Sequence, residues 1–70
     1  MTDKTNMTDE TICPVCEKYH FEELGVYDFC PVCGWGDDLL QRDDHDYTGG
    51  FNRMSVNQAR EAYKNGQEIY

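Results

Sequence analysis

No apolar stretch in this chain is longer than a few residues, so none could cross a bilayer as a helix. Positive charge is scarce: six Lys and Arg stand against fourteen Asp and Glu, a formal net charge of −8. Non-specific nucleic-acid affinity comes mostly from Lys and Arg neutralising phosphates. The balance therefore argues against nucleic acid and anionic membrane surfaces, and it favours a basic protein partner. Apolar matter is thin as well, with 70 residues, 39% of them hydrophobic, and a mean hydropathy of −0.82. A chain below about 80 residues seldom buries enough apolar surface to be secure on its core alone. Also missing is a basic start followed by an apolar run, since Met1 to Glu10 are polar. No export signal is expected, and the cytoplasm is the predicted location.

What the chain does have is one phrase written twice. Cys13-Pro14-Val15-Cys16 and Cys30-Pro31-Val32-Cys33 use all four cysteines and both prolines, with thirteen residues between them. In each phrase a Pro-containing turn points two sulfurs at one spot, Pro presetting its own φ and removing an amide. Gly34 follows the second phrase, where such a knuckle needs a positive φ. Two disulfides are the competing reading, but they do not persist in a reducing cytosol. Two facing knuckles predict a closed tetrahedral site for one Zn²⁺ held by Cys13, Cys16, Cys30 and Cys33. Structural zinc is worth about 10–16 kcal/mol in finger peptides, so folding and metallation should be one event. Four thiolates and one Zn²⁺ would carry the net charge from −8 to about −10.

The rest of the chain is read around that staple. Residues 1–11 form a polar lead expected to be disordered, and residues 12–70 a single domain. Lys18 to Glu22 alternates and reads as a strand, Glu23-Leu24-Gly25 as a turn, and Val26 to Phe29 as the return strand. The expected fold is a small metal-stabilised α+β domain: a zinc-ribbon or rubredoxin-like β-hairpin with two Cys knuckles and a C-terminal helix. Between Gly36 and Asn52 the periodicity dissolves, and a single-turn segment around Leu39 and Leu40 is expected. Ser55 with Gln58 three residues on reads as a capping box. Val56, Ala59 and Tyr63 form an apolar stripe with Ala62 beside it, and Asn65-Gly66 is the stop. Such a helix is too short to persist alone and should dock on the ribbon or on the Leu39-Leu40 segment.

Several separated motifs occur together here. They are the paired Cys-Pro-x-Cys, Gly34-Trp35 with Asp37-Asp38 behind it, the loop Asp46-Tyr47-x-Gly49-Gly50-x-Asn52 and the helix Ser55-x-x-x-Ala59-Arg60. In this the chain resembles the small bacterial CPCC-type cysteine-rich proteins over residues 12 to 65. Two departures from that pattern matter, one in the first knuckle and one at position 36. The first knuckle of the family usually reads Cys-Pro-Cys-Cys-Gly, whereas here Val15 and Glu17 occupy its third and fifth places, and Gly36 stands where Glu is common. Glu17 lacks the conformational freedom of Gly, so strain is expected there. The resemblance implies a metal-binding ribbon without catalysis. It also implies a likeness to small acidic proteins encoded beside bacterial toxins, which serve as immunity factors.

Other candidate chemistry is thin. With four thiolates committed to metal, no Cys nucleophile and no open coordination position remain, so no enzyme is expected. His20 falls on the polar side of its strand and reads as a surface residue. Asp43-Asp44-His45-Asp46 lacks the spacing of a calcium loop. Trp35, Phe29, Tyr19, Phe21, Tyr27 and Tyr63 are expected to form the core around the metal. Asp37, Asp38, Asp43, Asp44 and Asp46 are the candidate partner-binding face, steering a basic toxin domain. The alternative function is a rubredoxin-like electron carrier with iron in the same four-sulfur site.

Overall fold

Each cysteine knuckle closes on itself in the computed structural model, which describes residues 11–70. In the first, the amide of Cys13 donates to the Tyr19 carbonyl at 2.7 Å and that of Phe21 to the Thr11 carbonyl at 2.9 Å. These bonds flank an isolated antiparallel bridge, Ile12 to His20. The second repeats the pattern: Cys30 donates to Trp35 at 2.8 Å and Asp37 to Asp28 at 2.8 Å, flanking the bridge Phe29 to Gly36. The two loops differ by one residue in the span they close.

This pairing corrects the expected ribbon. Among the described residues there is no strand, sheet or hairpin, only the two bridges and two short helices. Segments 18–22 and 26–29 do not pair with each other. Each joins the chain beside its own knuckle instead, His20 with Ile12 and Phe29 with Gly36. Residues 22–26 form a bend, with Gly25 at φ 80° and Tyr27 at φ 61°, both outside the extended region a hairpin strand requires. Glu23-Leu24-Gly25 also lacks the two-residue Asn-Gly type of turn that would match strand twist. Of the expected disordered lead, residues 1–10 lie outside the described residues.

Helix α1 spans Leu39–Asp43. Asp38 caps it, its Oδ1 accepting from the Leu40 amide at 2.9 Å. Helix α2 spans Val56–Lys64 and carries the expected capping box. The Ser55 hydroxyl accepts from the Gln58 amide at 3.1 Å and Gln58 Oε1 from the Ser55 amide at 3.0 Å. It ends in a Schellman motif: Gly66, at φ 70°, donates to Tyr63 at 3.2 Å and Gln67 to Ala62 at 2.8 Å. Val56, Ala59 and Ala62 are its buried residues. Val56 and Ala59 share one core cluster with Cys13, Val15, Cys16, Phe21, Cys30 and Trp35, and Tyr63 is packed at its edge. The helix therefore docks on the knuckles, while Leu39 and Leu40 stay exposed.

The aromatic core is smaller than the sequence suggests. Trp35 and Phe21 are buried and Tyr19 and Tyr63 half-buried, but Tyr27 and Phe29 are 57% and 65% exposed. The volume they would have filled is partly polar. Gln41 is fully buried, with Oε1 accepting from the Asn52 amide at 3.1 Å and from Asn52 Nδ2 at 2.9 Å. Its Nε2 lies 2.9–3.1 Å from the carbonyls of Tyr47, Asn52 and Met54. The Asn52 side chain in turn grips Gly36, accepting from its amide at 2.8 Å and donating to its carbonyl at 2.7 Å. Gly36 turns these groups away from Phe29, so the Asn52 amide takes the place a third strand would occupy.

Candidate metal centre

The knuckles meet with their sulfurs inward. The ligand atoms of Cys13, Cys16, Cys30 and Cys33 all lie within 4.8 Å of one another, and the four stand as free thiols. Across the knuckles Cys13 Sγ is 3.6 Å from Cys33 Sγ and Cys16 Sγ is 3.7 Å from Cys30 Sγ. Zinc–sulfur bonds of about 2.3 Å in a tetrahedron place sulfurs about 3.8 Å apart, so the donor set fits such an ion. The Val32 amide points at Cys30 Sγ from 3.4 Å, the inward-facing amide that a knuckle offers a thiolate. Cys13, Cys16 and Cys30 are buried and Cys33 is partly exposed, which makes the second knuckle the solvent side of the site.

The turn geometry is the same in both knuckles. Glu17 N donates to Cys13 O at 3.0 Å and Gly34 N to Cys30 O at 2.9 Å. Gly34 holds φ 90° and Glu17 holds φ 58°, so the predicted strain at Glu17 is present in the backbone.

Proton affinities in the cluster diverge. The Cys33 thiol hydrogen-bonded to Cys13 holds the Cys13 group down, near a pKa of about 5, against the opposing effect of burial. Burial pushes Cys16 up to about 11. Cys33 is pushed up further, first by its bond to Cys13 and then by burial. Four like charges cannot collect in one pocket without a counter-ion, so the cluster acquires its full set of thiolates only when a cation replaces the protons.

Two arginines brace the first knuckle from the helices. Arg42 of α1 donates from Nη1 to the Ile12 carbonyl at 2.8 Å, and Arg60 of α2 from Nε to the Pro14 carbonyl at 2.7 Å. They bracket Cys13, and neither bond was legible in the sequence. A small pocket of about 220 Å³ opens between them, lined by Ile12, Pro14, Glu17, Arg42, His45 and Arg60.

The predicted acidic face divides. Asp37 is 0% exposed, its Oδ2 accepting from Gly25 N at 2.6 Å and its Oδ1 paired with Arg42 at 3.1 Å. Asp38 is buried as the cap of α1, and its Oδ2 also accepts from the Phe51 amide at 2.8 Å. These two carboxylates hold loops together beneath the surface and present no face to a partner. Asp43, Asp44 and Asp46 are exposed. Asp44 Oδ1 accepts from Asp46 N at 3.1 Å, and Asp46 Oδ1 accepts from Asn57 Nδ2 at 2.8 Å, which moors this loop to α2. His20 is exposed and bonded to Thr11, away from the sulfur cluster.

No curated protein matches the chain. The sequence model of the cysteine-rich CPCC family matches residues 11–66, a span that holds all four thiols, both arginine braces and the Gln41–Asn52 pair. By that match and by its four-cysteine cluster, the chain belongs to the cysteine-rich CPCC family.

Proposed function

We propose that this protein is a non-enzymatic, zinc-binding acidic module of the cytoplasm that acts by binding a basic protein. In its most specific form it is an immunity protein that neutralises a bacterial toxin. The observation that carries the reading is the closed set of four sulfurs, all within 4.8 Å of one another. A tetrahedral ion held by four protein ligands has no position left for substrate, which supports a structural role for the metal. The net charge of −8 supports a basic partner, and the exposed Asp43, Asp44 and Asp46 supply carboxylates for long-range steering.

The test has two steps. Elemental analysis of the purified chain should return one zinc per molecule. Capture from the native organism with the zinc-loaded chain should return a basic protein whose toxicity is relieved on binding. Two intact disulfides by mass spectrometry, or capture of an acidic or nucleic-acid partner, would overturn it. A second reading has its own support, because buried Trp35 and Phe21 pack in the same cluster as the cysteines and exclude water from a redox ion. Colour separates the two: an Fe(III) tetrathiolate is red and a zinc protein colourless.

A further inference from the structure

Three aromatic rings that the sequence assigns to the core or leaves unplaced stand together on the surface. Phe51 lies 4.9 Å from Tyr27 and 5.2 Å from Phe29 between ring centroids, and all three are exposed. Each is fixed by a different device. Tyr27 sits at φ 61°, a left-handed conformation that bulky residues rarely adopt. Phe29 is held by its bridge to Gly36. The Phe51 ring lies across Gly36, where any Cβ would collide with it, and the Phe51 amide is tied to buried Asp38. A strained backbone, a glycine without substitute and a buried carboxylate together keep the rings outward when the core could have taken them. Asp28 stands exposed between Tyr27 and Phe29 in the chain.

We infer that the Tyr27–Phe29–Phe51 face is a docking surface for a cationic, arginine-bearing segment of a partner protein. The inference rests on the protein-binding reading above and names the surface that performs it. Charge selects the occupant. A second copy of this chain would bring another −8 to the contact, and phosphate backbones or anionic lipids meet the same repulsion. A guanidinium suits the face, stacking on the rings while its charge is drawn by the acidic chain around them. Exposed aromatics grouped in this way are the usual anchors of an interface, and the acidic loop at Asp43, Asp44 and Asp46 then serves approach more than hold.

The metal-loaded chain, uniformly ¹⁵N-labelled, is titrated with an eight-residue Arg-Gly repeat peptide and with its Gln-Gly counterpart as the neutral control. Shift changes centred on residues 27–29, 36 and 51 are expected with the arginine peptide alone. Phe29→Ser and Tyr27→Gly should each weaken it about fivefold or more. Tyr27→Gly is the decisive variant, because Gly accepts φ 61° freely and the fold should melt no lower than wild type. Shifts confined to Asp43, Asp44 and Asp46, with both variants binding like wild type, would overturn the surface and leave the cationic-partner reading standing. No response to the arginine peptide at all would end both. Concentration-dependent dimerisation abolished by Phe29→Ser would assign the face to a second copy instead.

Discussion

Arg60 donates from Nε to the carbonyl of Pro14 across 2.7 Å, joining α2 to the backbone between the first two cysteines of the cluster. The residues are 46 apart in sequence, so the helix and the metal knuckle are one structural unit. Arg60→Ala should cost about 1–2 kcal/mol, the range for a charged donor at a partly buried site. Arg60→Lys should recover little, because an ammonium on a longer stem cannot reproduce the directed Nε–H. Thermal melts of the metal-loaded variants, with chelator competition for the affinity, check both.

Metal removal should unfold the chain. Cys30→Ser, or excess chelator on the wild type, is expected to abolish the cooperative melt, since binding energy on the order of 10 kcal/mol exceeds what so small a core supplies. Near-ultraviolet circular dichroism of buried Trp35 reports the loss directly.

The pH dependence has a definite sign. Cys16 and Cys33 have raised affinities for protons, whereas Cys13, near 5, is already ionised at neutral pH. Loading a divalent ion at pH 7 should therefore release protons, those of Cys16 and Cys33 among them, read from calorimetry in buffers of different ionisation enthalpy. Protons compete with the ion for these sulfurs, so the loaded chain should lose its metal and unfold as pH falls.

The four-cysteine cluster and α2 were legible in the sequence because each is announced locally. Cysteine spacing names the cluster, and a capping box, an apolar stripe and Asn65-Gly66 delimit the helix. The hairpin misled because Tyr19, Phe21, Tyr27 and Phe29 alternate as strand residues do, while the positive φ of Gly25 and Tyr27 takes the chain out of the extended region between them. Asp37 and Asp38 read as surface acids because composition carries no depth. Asp38 ahead of Leu39-Leu40 was nonetheless a cap signal, and Arg42 five residues beyond Asp37 supplied its counter-charge. Gln41 and Asn52 could not be found by periodicity, since a buried polar pair in an irregular segment repeats nothing.

That pair should be expensive to break. Gln41→Leu leaves the Asn52 side-chain amide and up to three carbonyls without their partner, at an expected cost of about 3 kcal/mol or more. The double variant with Asn52→Ala should cost less than the sum of the singles, because both remove the same network. Denaturant melts of the three variants test the coupling.

Glu17→Gly should stabilise. A left-handed L-residue costs about 1–2 kcal/mol, against which Glu17 offers only a 3.7 Å pair with Arg60 at solvent-exposed side chains. A gain of about 1 kcal/mol and a higher melting temperature are expected; a lower one would show that the Arg60 pair outweighs the strain.

The first knuckle's dependence on Arg60 also sets an order of events during synthesis. Cys13, Cys16, Cys30 and Cys33 leave the ribosome well before Arg60, so a nascent chain displays four thiols while the brace for the first pair is still unmade. An ion captured then would sit in a looser cage than the finished one, open to exchange with competing metals. A firm hold would come only once α2 docks on the knuckles, which would give the last fifth of the chain a part in which ion stays.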